Sequence, residues 1–283
     1  MLRARLSILV VAILVGLGLV SPASASTGGT PDGETHPNVG LIAFYDATGR
    51  YRCSATLVSP TVLLTAAHCT SGTLGKTAVT FKSVIKETAP LPGEPSPLPV
   101  AADPSKGYTA ADIVAAGYLS GTAYTHPNYS DFTDMDNWND VGVIVLDEPV
   151  VGIEPAPLAD LGAADKITQP RKTLFTAVGY GTEVRQAESG PQKPTPQSYP
   201  LIRRYVEMPG QKITPQVIQT NGNEKDPFGT GGTCFGDSGG SLWLDGKVVG
   251  VTSYGYTSNC RYLDGYQRVD IPVVAEWLDK FGL

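Results

Sequence analysis

Residues 229–241 constrain this chain more than any other stretch. Their sequence, GTGGTCFGDSGGS, places Ser238 between Gly236 on one side and Gly239 and Gly240 on the other. Glycines on both sides favour a tight turn that exposes one side chain and directs neighbouring N–H groups to one point. A serine hydroxyl becomes a nucleophile only if a base takes its proton and fixed donors receive the oxyanion. The stretch therefore predicts a histidine and an acid elsewhere in the chain, whereas the alternative is a glycine-rich surface loop.

The three histidines of the chain have different surroundings. His68 lies in the sequence TAAHC, at the end of an apolar run and directly before Cys69, where small neighbours allow the ring to pack closely. His36 and His126 each precede a proline in a turn-like segment, which is typical of structural histidines. The sequence predicts His68 as the base, and the alternative is a histidine satisfied within the core.

Asp140 is the acid that best suits a buried histidine. It directly precedes the apolar run 141–146, so its carboxylate would lie at the mouth of a buried strand and could hold an imidazole in one tautomer. Asp131, Asp134 and Asp136 lie in a polar segment, and we expect them to be solvated.

The order of these residues separates the known serine-hydrolase architectures. The glycine turn also matches the nucleophile elbow of α/β-hydrolases, whose order is Ser, acid, His, but no histidine follows Ser238. The subtilisin order, Asp, His, Ser, would need an acid before His68 and the βα alternation that this chain lacks. The order that remains is His68, Asp140, Ser238, and this is the order of chymotrypsin.

Short apolar or alternating runs punctuated by Gly, Pro and Asn favour an all-β barrel or sandwich. The runs are 39–45, 54–58, 62–66, 79–85, 114–118, 141–146, 174–178, 203–208, 241–244, 247–253 and 266–269. Asp245-Gly246 predicts a two-residue hairpin turn, and 273–281 predicts a closing amphipathic helix. The segments 86–104 and 189–200 carry six and four prolines and are expected to be exposed loops.

Residues 1–25 have the pattern of a secretory signal peptide: an early pair of arginines, an apolar run of about fifteen residues and a final Ala-Ser-Ala. The apolar run is short for a membrane span. The net charge of −6 and the absence of a basic stripe argue against nucleic acid as a partner.

Four cysteines in an exported chain favour disulfides over thiols. Of the three possible pairings we expect the local one, Cys53 with Cys69 and Cys234 with Cys260. No Cys-x-x-Cys or His-x-x-x-His spacing indicates zinc, and we expect neither a metal nor a cofactor.

Taken together, TAAHC around His68, Asn-Asp before an apolar strand, GDSGG around Ser238 and Ser-Tyr-Gly from Ser253 resemble the chymotrypsin/trypsin family of secreted serine endopeptidases. The resemblance covers most of the chain after the signal. It implies an all-β fold of two packed, antiparallel six-stranded β-barrels with a short C-terminal helix. The peptidase domain would be 26–283, with the first barrel at about 26–155, the second at about 156–270 and the helix at about 271–283.

The resemblance also assigns roles. His68 would be the base, Asp140 its orienting acid and Ser238 the nucleophile, and the N–H groups of Gly236 and Ser238 would form the oxyanion hole. Ser253, Tyr254 and Gly255 would pair with the substrate backbone as an added strand. The expected disulfides match bridges that this family places beside its base and its nucleophile.

Two departures from the family pattern concern the ends of motifs. Ser241 stands where the family usually has proline after GDSGG, and Ser-Thr-Gly-Gly from Ser26 stands where most members begin with Ile-Val-Gly-Gly. If signal cleavage follows Ala25, the new ammonium of Ser26 would be placed to pair with Asp237, as in the activated enzymes that this chain resembles.

Substrate choice depends on the residue six before the nucleophile, which is Gly232. It has neither charge nor bulk, so we expect an open, apolar primary pocket that favours Phe, Tyr, Leu or Met. Asp264 is the alternative determinant: pointing inward it would favour basic residues, and pointing outward, as part of an ordinary Asp-Gly turn, it would be one more solvated acid.

The sequence thus predicts a secreted, monomeric serine endopeptidase that acts on polypeptides through an acyl-enzyme and that protein inhibitors could block. No membrane association is expected after signal removal. Two alternatives remain: a catalytically silent binding protein on the same fold, and an esterase using the same triad.

Overall fold

The computed structural model describes residues 29–185 and 195–283 of the chain. The expected signal peptide and Ser26 lie outside the described residues. No helix within the described residues is long and apolar enough to cross a membrane.

Strands dominate the described chain. In order they are β1 Thr30–Pro31, β2 Val39–Asp46, β3 Gly49–Ser59, β4 Val62–Thr65, β5 Leu74–Thr80, β6 Val84–Lys86, β7 Leu119–Thr125, β8 Gly142–Leu146, β9 Leu174–Gly179, β10 Glu183–Arg185, β11 Thr195–Gln197, β12 Leu201–Ile202, β13 Arg204–Ile213, β14 Val217–Asn221, β15 Ser241–Leu244, β16 Lys247–Gly255 and β17 Leu263–Arg268. The two α-helices are α1 Ala110–Ala115 and α2 Pro272–Leu278. Short 3₁₀ turns occupy Ala67–Cys69, Pro104–Lys106, Ala164–Lys166, Pro170–Lys172 and Asp279–Phe281.

Twelve of these strands close into two antiparallel barrels. The first has the order β2-β3-β4-β8-β7-β5 and is closed. The second runs β13-β14-β17-β16-β15-β9, and the pairing of β9 with β13 closes it, while β1 extends it at β13. The prediction of two six-stranded β-barrels followed by a short C-terminal helix is confirmed.

Each barrel has its own apolar core, and a third cluster lies between them. Ile42, Leu57 and Ile144 belong to the first core, and Phe175 and Leu242 belong to the second. The third cluster joins residues of both barrels, such as Val39 and Val178, to α1 and α2. Because alternate residues of a barrel strand face inward, this separation follows from the short alternating runs of the sequence.

Several expected elements differ from the structure. The run 114–118 is not a strand: Thr109 and Asp112 form a reciprocal capping box that starts helix α1, and the strand begins only at Leu119. The run 79–85 is split between β5 and β6, and β14, whose Gln219 and Thr220 hide its apolar pattern, was not expected at all.

The proline-rich segments also differ from each other. In the first segment, 86–104, Lys86 ends strand β6 and the following residues are irregular up to the 3₁₀ turn that begins at Pro104. The segment 189–200 contains strand β11, which pairs with β10. A two-stranded ribbon consists of edge strands, where a proline such as Pro196 can be accommodated. The predicted Asp245-Gly246 turn is confirmed, with φ of 50° and 76° at its two positions.

Candidate active site

Strand pairing in the first barrel brings His68 and Asp140 together. Thr65, the last residue of β4, lies opposite Gly142, the first residue of β8, so the residues just beyond both strand ends share one edge of the barrel. His68 Nδ1 lies 2.8 Å from Asp140 Oδ2, and the His68 N–H donates to Asp140 Oδ1 at 2.9 Å. The carboxylate therefore contacts both the ring and the backbone of the histidine.

The Asp140 side chain is fully buried, and polar groups from the second barrel surround it. Ser253 Oγ donates to Asp140 Oδ2 at 2.6 Å and in turn accepts a bond of 2.9 Å from Trp138 Nε1. Gln267 Oε1 accepts the Asp140 N–H at 3.0 Å. A buried carboxylate that accepts these bonds favours the ring tautomer with its proton on Nδ1, which leaves Nε2 free to accept a proton.

Ser238 lies on the tight turn that follows the disulfide-bonded Cys234. Ser54 N–H donates to the Ser238 carbonyl at 2.8 Å, and the neighbouring disulfide joins Cys53 to Cys69, the residue after His68. Gly239 is required, because its φ is +75° and a Cβ there would come within 2.0 Å of Thr65 Oγ1. The turn is thus fitted against the strand that leads to His68. No hydrogen bond joins the Ser238 hydroxyl to the His68 ring in this structure, in keeping with the long catalytic contacts of many unliganded sites.

The peptide between Phe235 and Gly236 has a fixed orientation. Thr182 N–H donates to the Phe235 carbonyl at 2.7 Å, and because the N–H of a peptide points away from its carbonyl, the Gly236 N–H is directed to the opposite side. Ser54 Oγ holds the next carbonyl, that of Gly236, at 2.9 Å. Within the described chain, neither the Gly236 N–H nor the Ser238 N–H donates a hydrogen bond. Both donors are available to an oxyanion.

Asp237, between these two residues, is directed into the protein. Its carboxylate accepts the N–H groups of Gly181 at 2.7 Å and Cys234 at 2.9 Å. Arg52 and Arg204 lie close enough for their charges to act on it. The expected pairing with the ammonium of Ser26 lies outside the described residues.

A cavity of about 250 Å³ opens beside Ser238 and has Ser253, Tyr254 and Gly255 on one wall. The second disulfide, Cys234–Cys260, borders it. Ser253, Tyr254 and Gly255 are the residues expected to pair with a substrate. Gly232, which was expected at the floor of the primary pocket, is not among the residues that line this cavity, but the next residue, Thr233, is.

Asp264 lies behind this cavity and is only 2 % exposed. Its Oδ2 accepts the Thr233 N–H at 2.7 Å, and a Cβ added at Gly255 would lie 3.6 Å from its Oδ1. The Asp-Gly pair that begins at Asp264 is within β17 and is not a turn, so the carboxyl is not one more solvated acid. Burial raises the pKa of Asp264 to about 7, although its bonds to Thr233 lower it and the charge of Asp237 raises it further.

Within the described residues, one cluster has side chains that are close enough together to bind a metal, namely Cys53, His68 and Cys69. Its two cysteines share a disulfide and offer no thiolate, so the cluster does not fit a metal ion.

The trypsin family model matches residues 109–278. Among curated relatives, a brachyurin from Leptuca pugilator is 30 % identical over 77 % of this chain and 83 % of its own length. A trypsin from Saccharopolyspora erythraea is 26 % identical over 80 % of this chain and 86 % of its own length. This chain belongs to the trypsin family.

Solved structures show the same fold. A structure described as HL collagenase at 1.7 Å resolution covers 92 % of this chain and 96 % of its own, with a TM-score of 0.59 and 17 % identity. Human heparin binding protein covers 90 % of this chain and 95 % of its own, with a TM-score of 0.57 and 17 % identity. With its trypsin-family membership, the chain is a serine-type endopeptidase of the chymotrypsin fold and acts on polypeptides.

Sequence reasoning missed several residues of this trypsin-family site. Phe132 packs over His68 with ring centroids 5.5 Å apart, and Trp138 packs edge-on against both Phe132 and Tyr254. Phe132 follows Asp131 in the segment that we expected only to be solvated. An apolar aromatic within that acidic run was the available signal.

Proposed function

We propose that this chain is a secreted endopeptidase in which Ser238 attacks the substrate, His68 transfers the proton and Asp140 orients the histidine. One observation carries the proposal: a fully buried carboxylate, Asp140, accepts bonds from the His68 ring and from Ser253. Burial of a charge is costly unless it is paired, so the bonded histidine has a direct energetic reason to stay in this orientation.

The proposed reaction gives each of these groups one role. Ser238 Oγ attacks the scissile carbonyl carbon while His68 Nε2 accepts the hydroxyl proton. The carbonyl oxygen becomes an oxyanion between the N–H groups of Gly236 and Ser238. Collapse of this intermediate breaks the C–N bond, and the leaving amine takes the proton from His68. Water then gives a proton to the same nitrogen and attacks the acyl-enzyme ester. The ester C–O bond breaks, Ser238 Oγ takes the proton back from His68, and the acid product leaves.

The substrate segment before the cleaved bond would add to the edge formed by Ser253, Tyr254 and Gly255, and its side chain would enter the adjacent cavity. Gly232 leaves the floor of that cavity without bulk, and the Asp264 carboxyl lies behind it. The proposed primary pocket is therefore neutral when Asp264 is protonated and anionic when it is not.

Covalent labelling tests the nucleophile. A serine-directed organophosphonate should label the parent protein once and fail to label Ser238→Ala, while Ser241→Ala, three residues away, should still be labelled. Absence of labelling in the parent would favour the silent binding protein. Retention of casein hydrolysis within tenfold in Ser238→Ala would contradict the assignment.

Comparing casein with short-chain esters separates the peptidase from the esterase. We expect both to be cleaved, because an acyl-enzyme forms from either, and both activities should disappear in Ser238→Ala. Hydrolysis of esters without any hydrolysis of casein would favour the esterase.

Export is the remaining part of the proposal. Its support is the leader pattern of residues 1–25 together with two disulfides. We propose that signal cleavage after Ala25 leaves Ser26 as the first residue of a monomeric secreted enzyme. N-terminal sequencing of active enzyme from the medium should read Ser-Thr-Gly-Gly, and a start well beyond Gly29 would contradict this proposal.

A further inference from the structure

A second cavity, of about 330 Å³, is bordered by the Phe235–Gly236 peptide. Residues on its wall include Arg50, Arg52, Thr182, Ser198, Phe235 and Gly236. It shares Phe235 with the primary cavity and contains Gly236 of the oxyanion site.

The position of this cavity relates it to the leaving group. Substrate residues before the cleaved bond lie along Ser253 to Gly255, in the primary cavity. The leaving amine must reach His68, whose neighbour Cys69 is bonded to Cys53, and Arg52 directly precedes Cys53. The residues that follow the cleaved bond therefore pass over the second cavity. This placement rests on the proposed function of Ser238 and His68.

Arg52 is an incompletely bonded cation at the inner end of the cavity. Its Nη2 donates to the Ser198 carbonyl at 3.2 Å, whereas Nη1 is buried with no hydrogen-bond partner. Burial lowers the pKa of Arg52, against the opposing effect of the Asp237 charge. A Cβ at Gly236 would lie 3.6 Å from the central guanidinium carbon. The cation is thus partly desolvated beside the oxyanion site, where an added anion would be stabilised.

The charges around the cavity leave a positive excess. Arg50, at the outer end, donates to the Pro99 carbonyl at 2.7 Å and to Ser96 Oγ at 3.2 Å, which are uncharged acceptors. The charge of the Asp237 carboxylate acts on Arg52, but this carboxylate already accepts two backbone N–H groups and also acts on Arg204. Within the described residues, neither Arg50 nor Arg52 forms an ion pair.

We propose that this cavity is a subsite for a substrate carboxylate on the leaving-group side of the cleaved bond, with Arg52 as its specificity-determining residue and Arg50 at its rim. The carboxylate has two possible sources. One is an Asp or Glu side chain one or two residues after the bond, and the other is the C-terminal carboxylate of a substrate cleaved near its end. A guanidinium forms charge-assisted bonds with either.

Two sets of internally quenched peptides test the proposal on the whole secreted enzyme. The first set carries Glu or Gln at the first or second position after the cleaved bond, and the second ends there in a free acid or an amide. We expect the carboxylate member of at least one set to be cleaved with a kcat/KM about tenfold higher, as suits one charge-assisted hydrogen bond. A preference in the first set would show that the bound carboxylate is an Asp or Glu side chain, and a preference in the second would show that it is the C-terminus of the substrate.

Arg52→Met should bring the preferred ratio close to one, and Arg52→Lys should retain part of it. Arg171→Met, which removes an exposed charge elsewhere, is the matched control and should keep the parent ratio. Because Arg52 also acts on Asp237, its variants could fail to fold, so the parent ratio is also measured at 0.05 M and 0.5 M NaCl, where it should fall with salt. A parent ratio near one in both sets, or a ratio unchanged in Arg52→Met, would overturn the proposal. Persistent cleavage by Ser238→Ala would instead refute the assigned nucleophile.

Discussion

The Asp264 carboxyl lies directly behind Gly232, so that a Cβ at position 232 would come within 2.9 Å of Asp264 Oδ2. A side chain at position 232 would compete with the Asp264 carboxyl for the same space. Glycine at one position is therefore matched to a carboxyl at the other. Because burial raises the pKa of Asp264 to about 7, the charge behind the primary cavity changes near neutral pH.

We predict that substrate preference changes with pH. Below pH 7 the Asp264 carboxyl is protonated and the pocket is neutral, so apolar side chains such as Phe are preferred before the cleaved bond. As the pH rises through about 7 the carboxylate forms, and cleavage after Arg should rise relative to cleavage after Phe. The ratio of kcat/KM for matched Arg and Phe peptides, measured from pH 5 to pH 9, checks this prediction.

Asp264→Asn should flatten this ratio and lower it at pH 9 by about tenfold or more. Asp160→Asn is the control, since this carboxylate pairs with Lys247 on the surface. Asp264→Asn should also have a higher free energy of unfolding than the parent at pH 8. A raised pKa means that the folded state holds the proton more tightly, so ionisation of Asp264 costs the parent stability as the pH rises. A pH-independent ratio in the parent would contradict the prediction.

The orienting carboxylate leads to a second prediction. Asp140→Asn should keep the fold and lower kcat about 10⁴-fold near neutral pH, because an amide favours the wrong tautomer of His68. Ser253→Ala removes one donor from Asp140 but leaves the bond to His68 Nδ1, so kcat/KM should fall only about tenfold.

Steady-state kinetics with one peptide, together with a pH profile of kcat/KM, distinguish these effects. We expect the double variant to be no worse than Asp140→Asn within a few-fold, since Ser253 acts through Asp140. Strictly multiplicative losses would mean that Ser253 acts independently.

The order and identity of the candidate catalytic residues could be inferred from the sequence, whereas their support could not. His68, Asp140 and Ser238 lie in short motifs whose chemistry is local. Ser54 and Thr182 contact the nucleophile turn only in the folded chain, because their sequence separations from Gly236 and Phe235 exceed fifty residues. No local pattern distinguishes such residues from other buried hydroxyls or amides of a strand.

The fold likewise has features that could be inferred from local sequence and features that could not. Two barrels could be inferred from many short alternating runs and from the family motifs. Helix α1 could not be recognised by periodicity, because it is only six residues long and depends on the capping box of Thr109 and Asp112. Strand β14 was missed because Gln219 and Thr220 are buried polar residues whose hydrogen-bond partners, Tyr254 and Met208, lie on other strands.

Ser54 provides a third prediction. Its hydroxyl donates to the Gly236 carbonyl and accepts the Tyr180 N–H, both at 2.9 Å. Ser54 therefore joins the first barrel to the nucleophile turn. Ser54→Ala leaves both partners unsatisfied, so we expect a loss of about 1–3 kcal/mol in the free energy of unfolding and a fall in kcat of about tenfold with little change in KM.

Thr56→Val is a matched control for this change. It lies two residues along the same strand, and its buried hydroxyl has no hydrogen-bond partner. Removal of that hydroxyl should leave both stability and kcat equal to or above the parent values. Urea unfolding and peptide kinetics on both variants check the pair, and equal effects in the two would contradict the role of Ser54.

The fourth prediction concerns the fully buried Arg203, which joins the segment before β2 to both barrels. Its Nε donates to Asp32 at 2.8 Å, and its Nη1 donates to the carbonyls of Val39 and Phe81. Arg203→Met leaves the buried Asp32 carboxylate without its guanidinium partner and should destabilise the protein by about 3–5 kcal/mol at pH 7. Lys247→Met breaks an exposed ion pair of similar length and should change stability by less than about 1 kcal/mol.

The stabilisation that the Asp32 carboxylate provides should depend on pH in a defined direction. Burial tends to raise the pKa of Asp32, but hydrogen bonds with His36 and Arg203 outweigh it, and the pKa lies below its usual 3.8. A lowered pKa in the folded state means that the stabilisation is fully present above about pH 4 and is lost as the pH falls through the folded value. Urea unfolding of the parent and of Asp32→Asn should therefore show a large difference at pH 7 that shrinks below pH 3. A difference that stays constant between these two pH values would show that the Asp32 charge contributes nothing to the junction of the two barrels.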